Sequence, residues 1–397
     1  MNILVISSIY PSESNPLSGI FVHSQVQELV KQGFQVKILA PVPLAPFPLP
    51  LFSKKWRRFH ATPGFGLVNE IEVYYPRYLS LPRNWLFEKS GGWMYAGMRE
   101  LVSEIAKEFP FDLIHAHVAL PTGYAAMRVA AENQKPYIVT IHGADLQKTI
   151  HLNQKCKGAV AEVISHSSAV VLVSNKLRRI AEDQFGISNK FKVISNGIDP
   201  EYIHQVSYRN PAEIQEQKTI LSVSNLFPTK GIDINLYALE KLAEKHPDTK
   251  YLVIGDGPER KKLVGLAREL NLSNRVEFLG QLPHDQVMSH MAECDIFSLP
   301  SWQDGFGIVY LEAMAQGKPV IGCQGEGIED FVVDSETGFL VKPKDSDDLA
   351  RVLDNLLENP RLGIQVGARA QQTVQENYTW ERNAREVIRI YEECIDV

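Results

Sequence analysis

The feature that most constrains this chain is a repeated alternation of short, uninterrupted apolar runs with amphipathic segments. In the first half the runs are Ile3–Ile6, Val36–Leu39, Leu113–His115, Tyr137–Ile141, Val170–Val173 and Lys192–Ile194. After the first run, Val22, Val26, Leu29 and Val30 recur at helical spacing, and Gly33 ends that helix. Strands without polar alternation are buried on both faces, so the pattern predicts a parallel sheet covered by helices.

The alternation pauses at a polar stretch, Tyr208–Gln217, and then restarts. The later strand runs are Thr219–Val223, Tyr251–Ile254, Val276–Leu279, Ile296–Leu299, Pro319–Ile321 and Gly338–Val341, with helices at Asn235–His246, Arg260–Leu270 and Asp347–Leu357. A length of 397 residues also favours two domains.

We therefore predict an α/β protein with two Rossmann-like, doubly wound parallel-sheet domains facing across a cleft. Residues 1–207 are the predicted first domain and residues 208–379 the second. Residues 380–397 are predicted to contain a last helix, Trp380–Glu393, whose docking site the sequence does not reveal. In such sheets a ligand binds at the carboxyl ends of the strands.

Composition excludes several classes of protein. Apolar residues make up 44% and charged residues 22% of the chain, as in ordinary globular proteins. The net charge of −6 argues against general nucleic-acid binding, although residues 1–200 hold 21 Lys and Arg against 15 Asp and Glu and the remainder holds 20 against 32. Four distant cysteines indicate a reducing compartment. No apolar run is long enough to span a membrane and the first residues carry no basic leader, so we expect a cytoplasmic protein.

The most informative segment is Ser301–Gly317, which follows a strand run. Its turn, Asp304–Gly307, opens a helix, and the free amide groups of Phe306, Gly307 and Ile308 suit a phosphate group. Glu312 lies on the second turn of that helix, where a carboxylate can accept hydrogen bonds from ribose hydroxyls. The alternative is an ordinary helix with Asp304 as N-cap and Glu312 as a surface charge.

This segment resembles the retaining glycosyltransferases of family 4, which have the two-domain GT-B fold. That family carries two acidic residues separated by seven positions, matched here by Asp304 and Glu312. The resemblance implies that the first faces the donor sugar and the second faces the ribose of a nucleotide diphosphate sugar. The family commonly has Glu at the first position, so the side chain of Asp304 is one methylene shorter.

Other segments match the same family. Ser222–Gly231 resembles the loop that carries an Arg and a Lys for the donor diphosphate; Lys230 matches, but Asn225 stands in the Arg position and carries no charge. The resemblance also implies donor contacts for His142, for Gly19 in the loop after the first strand, and for Leu282, where the backbone reads the base.

Two further patterns suggest other ligands only weakly. The run Gly255–Pro258 lacks the third glycine of a dinucleotide-binding fingerprint, because Arg260 occupies its place. His115 and His117 would share one strand face like a metal-binding pair, but no third ligand is evident. We expect neither a metal nor another cofactor, with Lys230 and the helix N-terminus stabilising the leaving diphosphate.

One segment of the first half suggests an acceptor or membrane site. The apolar, proline-rich stretch Pro41–Phe52 precedes Lys54, Lys55, Trp56, Arg57 and Arg58, and the aromatic stretch Trp85–Tyr95 lies in the same half. Apolar and cationic side chains together suit an anionic membrane surface. We expect peripheral binding at the inner leaflet and a lipid-linked acceptor; the alternative is a loop packed on its own domain.

The overall hypothesis is a retaining glycosyltransferase with His142, Lys230 and Asp304 as catalytic residues. It would transfer a sugar from a nucleotide diphosphate donor to a hydroxyl acceptor, a glycolipid or polysaccharide precursor of cell-envelope or exopolysaccharide synthesis. The alternatives are a nucleotide-sugar epimerase and an inactive nucleotide-sugar-binding protein on the same fold. The sequence leaves the donor base, the sugar and the acceptor open.

Overall fold

The computed structural model describes residues 1–203 and 217–395 and divides the chain into two compact units. The first unit comprises Met1–Asn196 together with Trp380–Val397, and the second comprises Gly197–Thr379. The predicted domain boundary between residues 207 and 208 lies outside the described residues. Contacts between residues assign the chain from Gly197 to Thr379 to the second unit.

The first unit is built on an eight-stranded sheet. The described strands of this unit, eight in that sheet and two in a separate pair, are β1 (Asn2–Ser7), β2 (Gln35–Leu39), β3 (Val42–Pro43), β4 (Phe65–Val68), β5 (Ile71–Tyr74), β6 (Arg77–Tyr78), β7 (Leu113–His117), β8 (Tyr137–Ile141), β9 (Ala169–Leu172) and β10 (Phe191–Val193). The order is β10-β9-β8-β7-β1-β2-β5-β4, while β3 and β6 form a separate pair. The sheet is parallel except for the edge strand β4, which pairs antiparallel with β5.

Helices cover the sheet of this unit, as the alternation of runs predicted, although the sequence placed only α1 individually. They are α1 (Ile20–Lys31), α2 (Leu49–Phe52), α3 (Lys54–Ala61), α4 (Ser90–Glu108), α5 (Tyr124–Asn133), α6 (Ala144–Gln147), α7 (Gln154–His166) and α8 (Asn175–Phe185). The β1 run from Ile3 to Ile6 is fully buried, and Val22, Val26 and Leu29 of α1 pack on the same core. Val30, which the periodicity also suggested, is exposed.

The second unit has a six-stranded, all-parallel sheet in the order β13-β12-β11-β14-β15-β16. The strands are β11 (Thr219–Val223), β12 (Lys250–Ile254), β13 (Val276–Gly280), β14 (Ile296–Ser298), β15 (Val320–Cys323) and β16 (Phe339–Val341). The helices are α9 (Ile232–Lys241), α10 (Arg260–Glu269), α11 (His284–Glu293), α12 (Ile308–Ala315), α13 (Ser346–Glu358) and α14 (Pro360–Asn377). The helix predicted over Asn235–His246 therefore starts and ends earlier, beginning directly after the left-handed Gly231.

The last helix, α15 (Trp380–Ile395), belongs to the first unit. It packs against α1, where the Gln25 amide donates to Asn383 Oδ1 over 2.7 Å, and it buries Val387 and Tyr391 in the core of that unit. The docking site that the sequence left open is thus the first sheet's helical layer. None of the helices in residues 1–203 and 217–395 combines the length and apolar character that crossing a membrane requires.

Candidate functional site

The second unit brings the predicted cation and acid together. The strand order reverses between β11 and β14, and in doubly wound sheets a ligand crevice opens at that point. Lys230 ends the short turn after β11, and Asp304 lies in the loop after β14. The Lys230 Nζ lies 2.6 Å from Asp304 Oδ1, with both side chains mostly buried. The pair therefore sits where the topology places a ligand.

Backbone contacts hold the two loops against each other. The Trp302 amide donates to the Thr229 carbonyl over 2.9 Å, and the Ser301 hydroxyl donates to the same oxygen over 3.0 Å. Gly231 has φ +69°, and a Cβ there would lie 2.3 Å from the Pro300 carbonyl oxygen. Only glycine allows this approach, so the sequence fixes the spacing of the loops.

The predicted phosphate-binding turn opens α12. Gly307 has φ +95°, and a Cβ there would lie 2.6 Å from the Tyr310 ring. The first amide groups of a helix lack partners within it and carry a positive partial charge, so they attract anions. The Phe306 side chain is buried against Phe331, with ring centroids 5.1 Å apart. Phe306 can therefore contribute only its backbone to a ligand.

The predicted ribose and base contacts lie next to each other. Glu312 projects from α12, and its Oε1 is 3.9 Å from Nε2 of His284, the first residue of α11. Burial raises the pKa of Glu312, and the neighbouring His284 opposes that rise. Leu282 lies two residues before His284, in the loop after β13. His284 was missed by the sequence analysis, because nothing in its local pattern points to Glu312.

The loop Gly255–Pro258, which does not match a dinucleotide-binding fingerprint, has a packing role. A Cβ on Gly255 would lie 1.8 Å from the Ser224 carbonyl oxygen, and one on Gly257 would lie 2.5 Å from that of Leu226. These glycines let the loop after β12 lie directly on the Asn225 loop. The Asn225 side chain is exposed.

A buried carboxylate that the sequence analysis did not single out also belongs to this region. Glu326 follows β15 and accepts hydrogen bonds from the amides of Gln303 and Asp304. No periodicity or motif relates these positions, so only the folded chain reveals the contact.

The first unit brings Gly19 and His142 near each other. Gly19 precedes α1 with φ +62°, and a Cβ there would lie 2.0 Å from the Ile9 carbonyl oxygen. Phe21, in the first turn of α1, contacts His142 with ring centroids 4.7 Å apart. His142 follows β8, at the carboxyl edge of the sheet.

The two histidines of β7 form a buried polar chain that ends at His142. Their rings stack with centroids 4.3 Å apart, as strand alternation predicts. His117 Nδ1 lies 3.1 Å from His142 Nε2, and one of these nitrogens donates to the other. His115 lies 2.6 Å from the Tyr391 hydroxyl and 2.8 Å from the Thr140 hydroxyl through its two ring nitrogens.

These imidazoles are neutral near pH 7. Burial lowers the pKa of His115 and of His142 to about 3 and holds that of His117 well below its ordinary value. Neutral rings offer one donor and one acceptor each, which suits hydroxyl groups better than a diphosphate. Residues 1–203 and 217–395 contain no cluster of three or more His, Cys, Asp or Glu side chains arranged for a metal ion.

The predicted membrane segment forms two short helices on the surface. Lys54, Lys55, Arg57 and Arg58 on α3 are exposed, whereas Trp56 is half-buried and contacts Phe59 with ring centroids 5.8 Å apart. Phe47 and Phe52 each expose 81% of their surface, and Trp85 exposes 68%. Apolar and cationic side chains are therefore both accessible to solvent here.

Comparison with known families and proteins adds independent findings. Residues 18–202 match the model described as Glycosyltransferase Family 4, and residues 206–373 match the one described as Glycosyl transferases group 1. The putative teichuronic acid biosynthesis glycosyltransferase TuaC of Bacillus subtilis (strain 168) is 29% identical over 392 residues, covering 97% of this chain and 96% of TuaC. The N-acetyl-alpha-D-glucosaminyl L-malate synthase of Bacillus anthracis is 28% identical, covering 73% of this chain and 77% of that enzyme.

Solved structures share the fold. Sucrose-phosphate synthase from Thermosynechococcus elongatus is similar with a TM-score of 0.80 and 20% identity, covering 99% of each chain. Anabaena HepE in complex with UDP-glucose is similar with a TM-score of 0.72 and 20% identity, covering 99% of this chain and 100% of HepE.

Proposed function

The chain belongs to glycosyltransferase family 4 and is a glycosyltransferase of the GT-B fold, and from that premise we propose that it transfers a sugar from a nucleotide diphosphate donor to a hydroxyl acceptor with retention at the anomeric carbon. The observation that carries the proposal is the Lys230–Asp304 pair at the strand-order reversal of the second sheet, beside the turn at Gly307. A cation and free helix amides at that position suit a departing diphosphate.

In this proposal the second unit holds the nucleoside diphosphate. Lys230 and the amides of Gly307 and Ile308 stabilise the leaving group, without a metal. Asn225 adds a neutral hydrogen-bond donor. Glu312 accepts the ribose hydroxyls and has to be ionised for this, which the nearby His284 favours. The backbone at Leu282 contacts the base.

Two residues act on the donor sugar in this proposal. The Asp304 carboxylate orients Lys230 and faces the sugar hydroxyls. His142 stabilises the charge that develops near C1 and orients the sugar, and the Gly19 backbone contacts the donor phosphates. The bond from C1 to the diphosphate oxygen breaks and the bond from C1 to the acceptor oxygen forms on the same face. The acceptor proton passes to the departing phosphate, so no carboxylate nucleophile is required.

We further propose a lipid-linked acceptor and peripheral binding to an anionic inner leaflet, in a cytoplasmic protein. The exposed side chains of Phe47 and Phe52 beside the cations of α3 support this. The similarity to TuaC over 97% of the chain supports an acceptor that is a polysaccharide or glycolipid precursor of the cell envelope.

A thermal-shift screen with UDP-glucose, GDP-mannose and ADP-glucose tests the donor class, because a ligand that binds only the native state raises the melting temperature. We expect one nucleotide to raise it and the Glu312→Ala variant to lose most of the shift. Release of nucleoside diphosphate only when a membrane lipid extract is added would support transfer. Conversion of the donor without release would indicate an epimerase, and binding without turnover an inactive protein.

Co-sedimentation with vesicles tests the membrane proposal separately. We expect binding to phosphatidylglycerol-containing vesicles, but not to phosphatidylcholine vesicles, and a decrease for Lys54→Ala/Arg58→Ala of about 30-fold, from roughly 1 kcal/mol for each of the two cations. Lys176→Ala/Arg179→Ala on α8 is the matched control. Binding that ignores both the anionic lipid and the α3 cations would remove this proposal.

A further inference from the structure

The loop Trp302–Gly307, here called the donor turn, has a conformation that its own sequence does not explain. Gln303 adopts φ +88° and Gly307 φ +95°, and the segment lies between β14 and α12 outside regular secondary structure. A left-handed conformation is unfavourable for a residue with a side chain such as Gln303. Contacts from outside the loop must therefore stabilise it.

Glu326 provides such a contact. Its Oε2 accepts hydrogen bonds from the Gln303 amide over 3.0 Å and from the Asp304 amide over 2.7 Å. The side chain is buried, with Glu326 exposing only 9% of its surface. If a buried carboxyl oxygen is removed, the amides that donate to it lose their partner, which is costly in a protein interior. One carboxyl oxygen of Glu326 thus accepts hydrogen bonds from the amide of Gln303, the residue with the unfavourable φ, and from the amide of Asp304.

The residue after Glu326 packs on the same turn. A Cβ on Gly327 would lie 2.5 Å from the Gly305 carbonyl oxygen and 2.7 Å from Phe306 Cα. Glu326 and Gly327 therefore contact the donor turn on both sides of Asp304. This fixes the backbone from which the Asp304 side chain reaches Lys230.

We infer that Glu326 is a positioning residue for the donor turn: it fixes Asp304 and, through it, Lys230, without contacting the donor itself. The inference rests on the proposed donor site. The same hydrogen bonds show that the amides of Gln303 and Asp304 already have an acceptor, because both donate to Glu326. A phosphate would thus be bound by amides nearer the start of α12.

The charge of Glu326 makes the expected effects distinctive. Glu326 accepts from the backbone amide of Asp304, and the side chain of Asp304 pairs with Lys230, so two carboxyl groups and one ammonium lie in this part of the second unit. Removing the Glu326 charge lowers the local negative charge, so nucleoside diphosphate affinity should stay equal or increase. Loss of positioning should lower kcat instead. A merely structural role would not separate the two quantities.

The experiment compares Glu326→Gln with Glu326→Met. Gln keeps an acceptor oxygen for the two amides, whereas Met has similar volume and no acceptor. Turnover is followed as nucleoside diphosphate release from UDP-glucose, GDP-mannose or ADP-glucose with a membrane lipid extract, and UDP, GDP and ADP are the binding probes. We expect Glu326→Met to lower kcat about 30- to 100-fold, as small misplacements of reacting groups do, and Glu326→Gln to lower it less than about fivefold.

Glu329→Gln is the matched control, because Glu329 accepts a hydrogen bond from the Gly325 amide over 2.7 Å in the same segment but is not bonded to the Gln303 or Asp304 amides. It should leave kcat unchanged. A kcat for Glu326→Met within threefold of the wild type would overturn the inference. So would an equal loss in both Glu326 variants accompanied by a parallel loss of nucleoside diphosphate affinity.

Two safeguards keep the result decisive. If Glu326→Met does not melt cooperatively, Glu326→Asp replaces it, because its side chain is one methylene shorter and withdraws the carboxyl group from the two amides. A kcat of Glu326→Asp within threefold of the wild type would again overturn the inference. Lys230→Ala and Glu312→Ala are measured in parallel. If these too are silent, the proposed donor site is wrong; if only Glu326→Met is silent, the positioning role is wrong.

Discussion

The two sheets end in chemically different side chains. The carboxyl edge of the second sheet carries charges, with Lys230 and Asp304 paired at 2.6 Å and Glu312 near His284. The corresponding edge of the first sheet carries neutral imidazoles, linked by hydrogen bonds and stacking from His115 to His142. The carboxyl edge of the second sheet can therefore make ionic contacts, and that of the first sheet can make hydrogen bonds through neutral groups.

This difference separates the expected tasks of the two units. A diphosphate is recognised by cations and helix amides, whereas sugar hydroxyls are matched by groups that both donate and accept. Variants at the charged edge should therefore change nucleotide binding and salt dependence, and variants at the neutral edge should change turnover with little effect on nucleotide binding.

The largest effect is expected at the charged edge. Lys230→Ala removes the cation that the proposed function assigns to the leaving diphosphate, and we expect kcat/KM for the donor to fall about 10²- to 10³-fold, as for loss of one preorganised group in an active site. Donor kinetics at two salt concentrations measure this. Lys241→Ala, which breaks an ion pair with Asp347 elsewhere in the same unit, is the control and should change little. A loss below threefold for Lys230→Ala would contradict the assignment.

At the neutral edge, His142→Ala should lower kcat about 10- to 100-fold, the range for a single positioned imidazole. The Kd for the nucleoside diphosphate should remain within twofold, because no charge is removed. Kinetics together with calorimetric titration separate the two quantities. His166→Ala, at an exposed position on α7, is the control. A parallel loss of nucleotide affinity would mean that the two edges do not divide the work in this way.

Much of this contrast was predictable from the sequence. Each apolar run assigned to a strand is a strand within one or two residues, because burial on both faces leaves a continuous apolar signal. Asp304 was singled out from the turn that follows a strand run, whereas Lys230 and the roles of both residues came from the resemblance to family 4. The pairing of β11 with β14 then brings them into contact.

The rest depends on contacts that no local pattern records. Helix α4 was not predicted because Gly91, Gly92 and Gly97 weaken helical propensity; yet a Cβ on Gly91 would lie 2.5 Å from Tyr124, and one on Gly97 would lie 2.2 Å from the Arg77 carbonyl oxygen. These glycines serve close packing. Likewise Glu326 contacts the amides of Gln303 and Asp304, and His284 lies near Glu312. These residues are more than 20 positions apart in the sequence, where helical or strand periodicity predicts no contact.

A smaller effect is expected on stability in acid. Burial lowers the pKa of His115 to about 3 and that of His23 to about 4, so between those values and about 6.5 the unfolded chain binds more protons than the folded one. Stability is thus complete above pH 6.5 and decreases as the pH falls, by on the order of 1.4 kcal/mol per pH unit for each such histidine. Urea unfolding of the protein at pH 7 and pH 5 measures how steeply its free energy of unfolding depends on pH.

The His115→Gln variant provides the control for this acid effect. It removes one titrating group but keeps an amide near the Thr140 hydroxyl, so its stability should depend less steeply on pH than that of the wild type. Equal slopes in the variant and the wild type would show that His115 is not held neutral by burial, and the description of the first edge as uncharged would then fail.

The smallest effect is expected from adding charge to the already charged edge. Asn225 is exposed, on a loop held by the backbone contacts of Gly255 and Gly257, so an arginine there can extend without disturbing the packing. We expect Asn225→Arg to lower the donor KM about three- to fivefold, in the range of one added ion pair exposed to solvent, with a steeper dependence on salt. Asn225→Gln, of similar polarity and no charge, should leave both unchanged. If Asn225→Arg instead changes kcat alone at every salt concentration, the diphosphate does not lie beside this loop, and the second edge recognises its ligand by means other than charge.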